Sequence, residues 1–89
     1  MMYPFMTLED GTEIVHSEQL EDGRVKVYVE TPDEKDGFHN LVCYLPSYEM
    51  ENNGYSEKEI EYFTDIIRST AHLIIEFSKE GGFMNASGF

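Results

Sequence analysis

The hydrophobic period changes at Ser56. Before it apolar residues alternate with polar ones, and after it they recur every three or four positions. Alternation puts one side of each strand into a core, and the longer period puts one stripe of a helix there. The expected fold is therefore α+β, a four-stranded antiparallel β-meander packed against one long C-terminal α-helix. The 89 residues make one domain, residues 1–89, and a chain of this size buries about 60–70% of its unfolded surface.

Strands are expected over residues 3–8, 12–17, 24–31 and 38–45. In the third, Val25, Val27 and Val29 face one way while Arg24, Lys26, Tyr28 and Glu30 face the other. In the fourth, Leu41, Cys43 and Leu45 share a face. Asp10-Gly11 predicts a two-residue type I′ turn, since glycine tolerates positive φ, and Asp22-Gly23 introduces the third strand. Thr31 to Gly37 reads as a polar connection, because Pro32 cannot donate to a ladder. Pro46 ends the fourth strand. Tyr48 to Tyr55 reads as a loop on the turn chemistry of Asn52-Asn53-Gly54. No repeat is visible.

Ser56 is expected to cap a helix over residues 57–80, with Glu59 completing a capping box. Ile60, Phe63, Ile67, Ala71 and Ile74 form its core stripe, and Glu57, Glu61, Asp65, Arg68, His72, Glu76 and Lys79 its solvent stripe. Nothing forces a break at Ser69-Thr70. Tyr62, Ile66, Leu73 and Phe77 form a second apolar flank, wider than a one-sided surface helix needs. The tail, residues 81–89, or the sheet, or else a second copy or a partner, is expected to cover it, which makes these four residues a candidate dimer face.

Charge narrows the function. Eighteen Asp and Glu against six Lys and Arg leave a formal charge of −12, which excludes direct binding to nucleic acid or to an anionic membrane. Nothing approaches the ~18 consecutive apolar residues of a membrane span, and Met1 to Met6 carries no basic n-region, so cytoplasmic residence is expected. One cysteine excludes an internal disulfide. His39 and Cys43 are four apart on one strand, about 13 Å, too far for a thiol–imidazole dyad. His16, His39 and His72 sit on separate elements, and every acid lies in a turn or on a polar face. No catalytic residue, metal site or cofactor is expected.

The acids cluster as Glu9-Asp10, Glu18-Glu21-Asp22, Asp33-Glu34-Asp36 and Glu49-Glu51, with Glu57, Glu61 and Asp65 as a helical row. Like charges at that spacing destabilise a helix by a few tenths of a kcal/mol per pair. The net charge also exceeds the magnitude of ~2–8 that keeps a small domain soluble. An array of carboxylates can occupy a basic groove built for phosphates, through the same Arg and Lys side chains. Tyr44, Tyr48, Tyr55 and Tyr62 lie near the acids and suit either an interface or core-edge packing. The expected partner-binding residues are Glu49, Glu51, Glu57, Glu61, Asp65, Tyr48 and Tyr55, and the expected partner is a basic nucleic-acid-handling protein.

At Leu45-Pro46-Ser47-Tyr48-Glu49, and from Ser69 to Gly82, the chain resembles small proteins of bacterial mobile elements. In size, acidity and lack of a catalytic motif it is similar to anti-CRISPR proteins. That resemblance implies a non-enzymatic inhibitor that blocks a nucleic-acid enzyme, such as a Cas effector, in its groove for DNA or guide RNA. The alternative is an assembly domain that dimerises through the apolar helix flank, with its acids serving solubility alone.

Overall fold

A computed structural model describes residues 2–33 and 37–79. Five strands precede one helix: β1 (Met2–Thr7), β2 (Glu13–Ser17), β3 (Val25–Asp33), β4 (Gly37–Leu45), β5 (Glu49–Asn53) and α1 (Glu57–Lys79). The strands form an antiparallel sheet in sequence order, and α1 packs across β2, β3 and β4 on one face.

The alternating residues fill the core between the two layers. Val25, Val27, Val29, Leu41, Cys43 and Leu45 are buried against Phe63, Ile67 and Ile74 of the helix. Ile60 and Ala71 pack at its margin. The solvent stripe of α1 is exposed as expected, and the helix is continuous through Ser69-Thr70. Ser56 and Glu59 close the capping box in both directions. Glu59 N donates to Ser56 Oγ at 3.2 Å, and Ser56 N donates to Glu59 Oε1 at 3.0 Å.

Three expectations need correction. The segment read as a loop contains a fifth strand: β5 pairs with β4 from Tyr44↔Glu49 to Asn40↔Asn53. Asn52-Asn53 therefore ends a strand, and only Gly54, at φ 103°, carries the turn backbone there. Pro32 lies inside β3, opposite Phe38. Pairing with β2 stops at Glu13↔Glu30, so at Pro32 β3 is an edge on that side, where a missing N–H is tolerated.

The third correction concerns the turns. Leu8-Glu9-Asp10-Gly11 and Leu20-Glu21-Asp22-Gly23 are the same four residues, a short repeat, and they fold the same way. In each the glycine N–H donates to the leucine carbonyl, and the leucine N–H donates to the residue after the glycine. The aspartate accepts the backbone N–H of that residue, Thr12 or Arg24. Gly11 and Gly23 have φ of 90° and 87°. These are three-residue loops with a left-handed glycine, not two-residue type I′ turns. Hydrogen bonds from the Thr12 side chain and backbone hold the Asp10 carboxyl below its ordinary pKa. The Arg24 backbone and then its side chain do the same for Asp22.

Candidate protein-binding interface

Strand register sorts the side chains between the two faces of the sheet. Cys43 pairs with Met50, and Met50 reaches Thr64 of the helix, so this parity faces α1. The opposite parity forms the face that no described element covers, the open face. One row across it runs Pro4, Val15, Tyr28, Val42, Glu51. A second runs Thr7, Glu13, Glu30, Asn40, Asn53, and a third includes Lys26, Tyr44 and Glu49.

The centre of that face is semi-apolar. Val42 is 9% exposed, and Val15 and Tyr28 are half-buried beside it. Carboxylates surround them. Glu13 stands directly opposite Glu30, while Glu49 and Glu51 line the β5 edge. Tyr28 donates its hydroxyl to Glu30 Oε2 at 2.9 Å, and burial followed by that carboxylate raises the phenol's pKa. Lys26 is the one cation in these rows. Arg24, next to it, is engaged elsewhere: its Nε lies 2.7 Å from Asp22 Oδ2, and its guanidinium stacks 4.5 Å from the Tyr44 ring. Four carboxylates thus face one ammonium.

The seven residues expected to bind a partner do not form one surface. Glu49 and Glu51 are on the open face. Glu57, Glu61 and Asp65 are exposed on the outward side of α1, with the core and the sheet between the two groups. Asp65 sits 3.5 Å from Arg68. Tyr48 lies on the helix side, its ring 5.8 Å from the Arg68 guanidinium. Tyr55 is 5% exposed and belongs to the core, which corrects its placement at an interface. Its ring packs edge-on against Phe63 at 4.8 Å, and its hydroxyl meets Thr31 Oγ1 at 2.7 Å. Thr31 in turn meets Thr12 Oγ1 at 2.6 Å, so three hydroxyls tie β3 to the two flanking loops. Of the candidate dimer face, Tyr62 is 56% exposed and Leu73 36%, whereas Ile66 and Phe77 are half-buried. Glu34, Asp36 and the tail, residues 81–89, lie outside the described residues.

Sequence reasoning missed Glu13, Glu30, Tyr28, Val15 and Val42 as neighbours. The signal was present in the alternation of β3, whose polar side contains Tyr28 and Glu30, but joining them to Glu13 and Glu51 requires the register.

Among the described residues, no group of His, Cys, Asp and Glu could hold a metal. His16 is fully buried, against an expectation that gave it no particular place. Its Nδ1 lies 2.9 Å from the Ser17 carbonyl, its Nε2 has no partner, and the rings of Tyr3 and Phe5 pack around it. Cys43 is 0% exposed, and burial pushes its thiol up to about 11 from 9.0. The native protein should therefore resist alkylation by iodoacetamide at about pH 8 and react only on unfolding. Because the folded value is raised, the associated stability is present below 9.0 and lost as pH climbs toward about 11. Alkylation in native buffer as fast as in denaturant would contradict the burial. No described helix is long and apolar enough to cross a membrane. Comparison with protein-family models, curated proteins and solved structures finds no match.

Proposed function

We propose that this chain is a non-enzymatic, cytoplasmic protein-binding inhibitor that occupies the basic nucleic-acid-binding groove of a nucleic-acid-handling protein, as an anti-CRISPR protein does with a Cas effector. One observation carries the reading: Glu13, Glu30, Glu49 and Glu51 share the sheet face opposite α1, around Val15, Tyr28 and Val42. Like charges directly opposite on neighbouring strands destabilise a sheet, so the Glu13–Glu30 pair costs stability that a partner's arginines and lysines would recover. Charge-assisted hydrogen bonds to carboxylates use the same donors that grip phosphates. Tyr28 and Val42 supply apolar contact at the centre, where interface energy concentrates. The net charge of −12 speeds encounter with a basic surface.

The test uses two neutralised variants. Glutamine at Glu13, Glu30, Glu49 and Glu51 removes the open-face charge, and Glu57→Gln, Glu61→Gln and Asp65→Asn removes the helical row. Tagged protein captures partners from a nuclease-treated bacterial lysate at about 0.1 and 0.5 M salt, where screening lengths differ about twofold. Wild type should retain a basic nucleic-acid-binding protein at low salt and release it to added duplex DNA. The open-face variant should lose at least ten-fold in recovery, and the helix variant should keep it. Equal recovery by the open-face variant would overturn the reading.

A further inference from the structure

Beyond that reading, and independent of it, α1 carries an uncharged stripe on its exposed side. Tyr62 and Leu73 are the two large apolar side chains of the helix most open to solvent, at 56% and 36%. At 100° per residue they fall within about 20° of each other, with Ile66 and Ser69 between them. None of the four is charged, on a chain whose acids make most of its surface hostile to a second copy. Leu8 packs beside Tyr62 in a shallow groove whose rim is Glu9 and Asp10.

Among the charges bracketing the stripe one pair is self-complementary, and Asp65, on the same edge, lies 3.5 Å from Arg68 of its own helix. Lys58 and Glu76 are both exposed and stand about five turns apart on one line along the stripe's solvent edge. The midpoint between them falls at the same level of the helix as the midpoint between Tyr62 and Leu73, close to Ile67. A two-fold axis through that level therefore does two things at once. It sets Tyr62 against the copy's Leu73, and it brings Lys58 opposite the copy's Glu76 at both ends. Exposed Ser69, small and near the crossing, lets the helices approach. A copy of this chain matches both spacings by symmetry, as an isologous contact requires.

We infer that the chain forms a two-fold homodimer in which antiparallel α1 helices pack through Tyr62, Ile66, Ser69 and Leu73, bracketed by paired Lys58–Glu76 contacts. The open sheet face, on the other side of each protomer, stays available.

Sedimentation of the full chain across about 5–500 µM, the micromolar range of modest interfaces, tests this. The mass should rise from 10.3 kDa toward twice that value. Leu73→Asp should weaken dimerisation at least ten-fold, and so should Tyr62→Ser, a milder change at an exposed site. Lys58→Glu and Glu76→Lys should each weaken it, and the two together should restore it. Circular dichroism checks that each variant keeps its helix. A chain that stays monomeric throughout overturns the proposal, and means that residues 80–89 or a different protein cover the stripe. A dimer indifferent to Leu73→Asp and Tyr62→Ser, or not restored by the double charge exchange, overturns it equally.

Discussion

Ile67→Ala should lower the stability of the domain by about 3–4 kcal/mol, near the middle of the range for large-to-alanine changes in cores. Ile67 is 0% exposed and sits midway along α1, in the same cluster as Val27, Val29, Leu41 and Cys43. A β-branched side chain wedged between a helix and a sheet leaves a cavity that neither layer can close, because each is held by its own hydrogen bonds. The helix depends on this contact, since isolated helices owe little stability to propensity. For a domain whose whole stability is of order 5–15 kcal/mol, the midpoint of thermal unfolding should fall by roughly 15–25 °C. Differential scanning calorimetry measures it. A fall of only a few degrees would mean that α1 is not packed as described.

Gly54→Ala should cost about 2–3 kcal/mol for a different reason, one located in the backbone. Gly54 has φ 103°, a conformation that a residue with a Cβ adopts only under strain. An added Cβ would also lie 2.6 Å from His39 Cδ2, 3.0 Å from its Cγ and 3.4 Å from its Cβ. The imidazole cannot swing clear at its tip alone, because the contact reaches back to the root of the side chain. The same ring packs edge-on against Tyr55 at 5.8 Å, so displacing it loosens the hydroxyl chain to Thr31 and Thr12. Urea unfolding should show a lower midpoint with an unchanged slope. The double variant Gly54→Ala, His39→Ala separates the two causes: relief of the clash should return part of the loss, and the φ strain should remain. Full recovery in the double variant, or no loss in the single one, would contradict this account.

The parts of the fold that were legible in the sequence are those where local preference and burial agree. Val25-Val27-Val29 is β-branched and alternates, so propensity and pattern coincide. Ser56 and Glu59 at the head of a helical stripe left little freedom for the start of α1. The strand Glu49–Asn53 was not legible, because it has no β-branched residue and, of its side chains, only that of Met50 packs against the core. Its pairing is imposed by β4 rather than by its own composition. Tyr55 was misplaced for want of one reading: it precedes the cap residue and Ile60 lies four positions into the helix, the spacing of a hydrophobic staple. Asp-Gly in a hairpin is compatible with two loop lengths, and the matching Leu-Glu-Asp-Gly segments were the available clue to a shared turn.

For the site, sequence order was misleading. Glu49 and Glu51 are close in sequence to Glu57 and Glu61 but lie on the opposite layer, while Glu13 and Glu30, far apart in the chain, are cross-strand neighbours. A strand's parity and a helix's rotation decide where a carboxylate points, and neither follows from proximity in the chain. The open face therefore became visible only once the register was known.

We propose that a basic surface binds the open face of the sheet and not the helical row. Titrating the isotope-labelled protein with an arginine-rich peptide and following its backbone amide resonances tests it most directly. The largest shifts should gather on Val15, Tyr28, Val42, Glu49 and Glu51 and vanish when Glu13, Glu30, Glu49 and Glu51 are glutamine. Shifts concentrated at Glu57, Glu61 and Asp65, unchanged by those four substitutions, would contradict it.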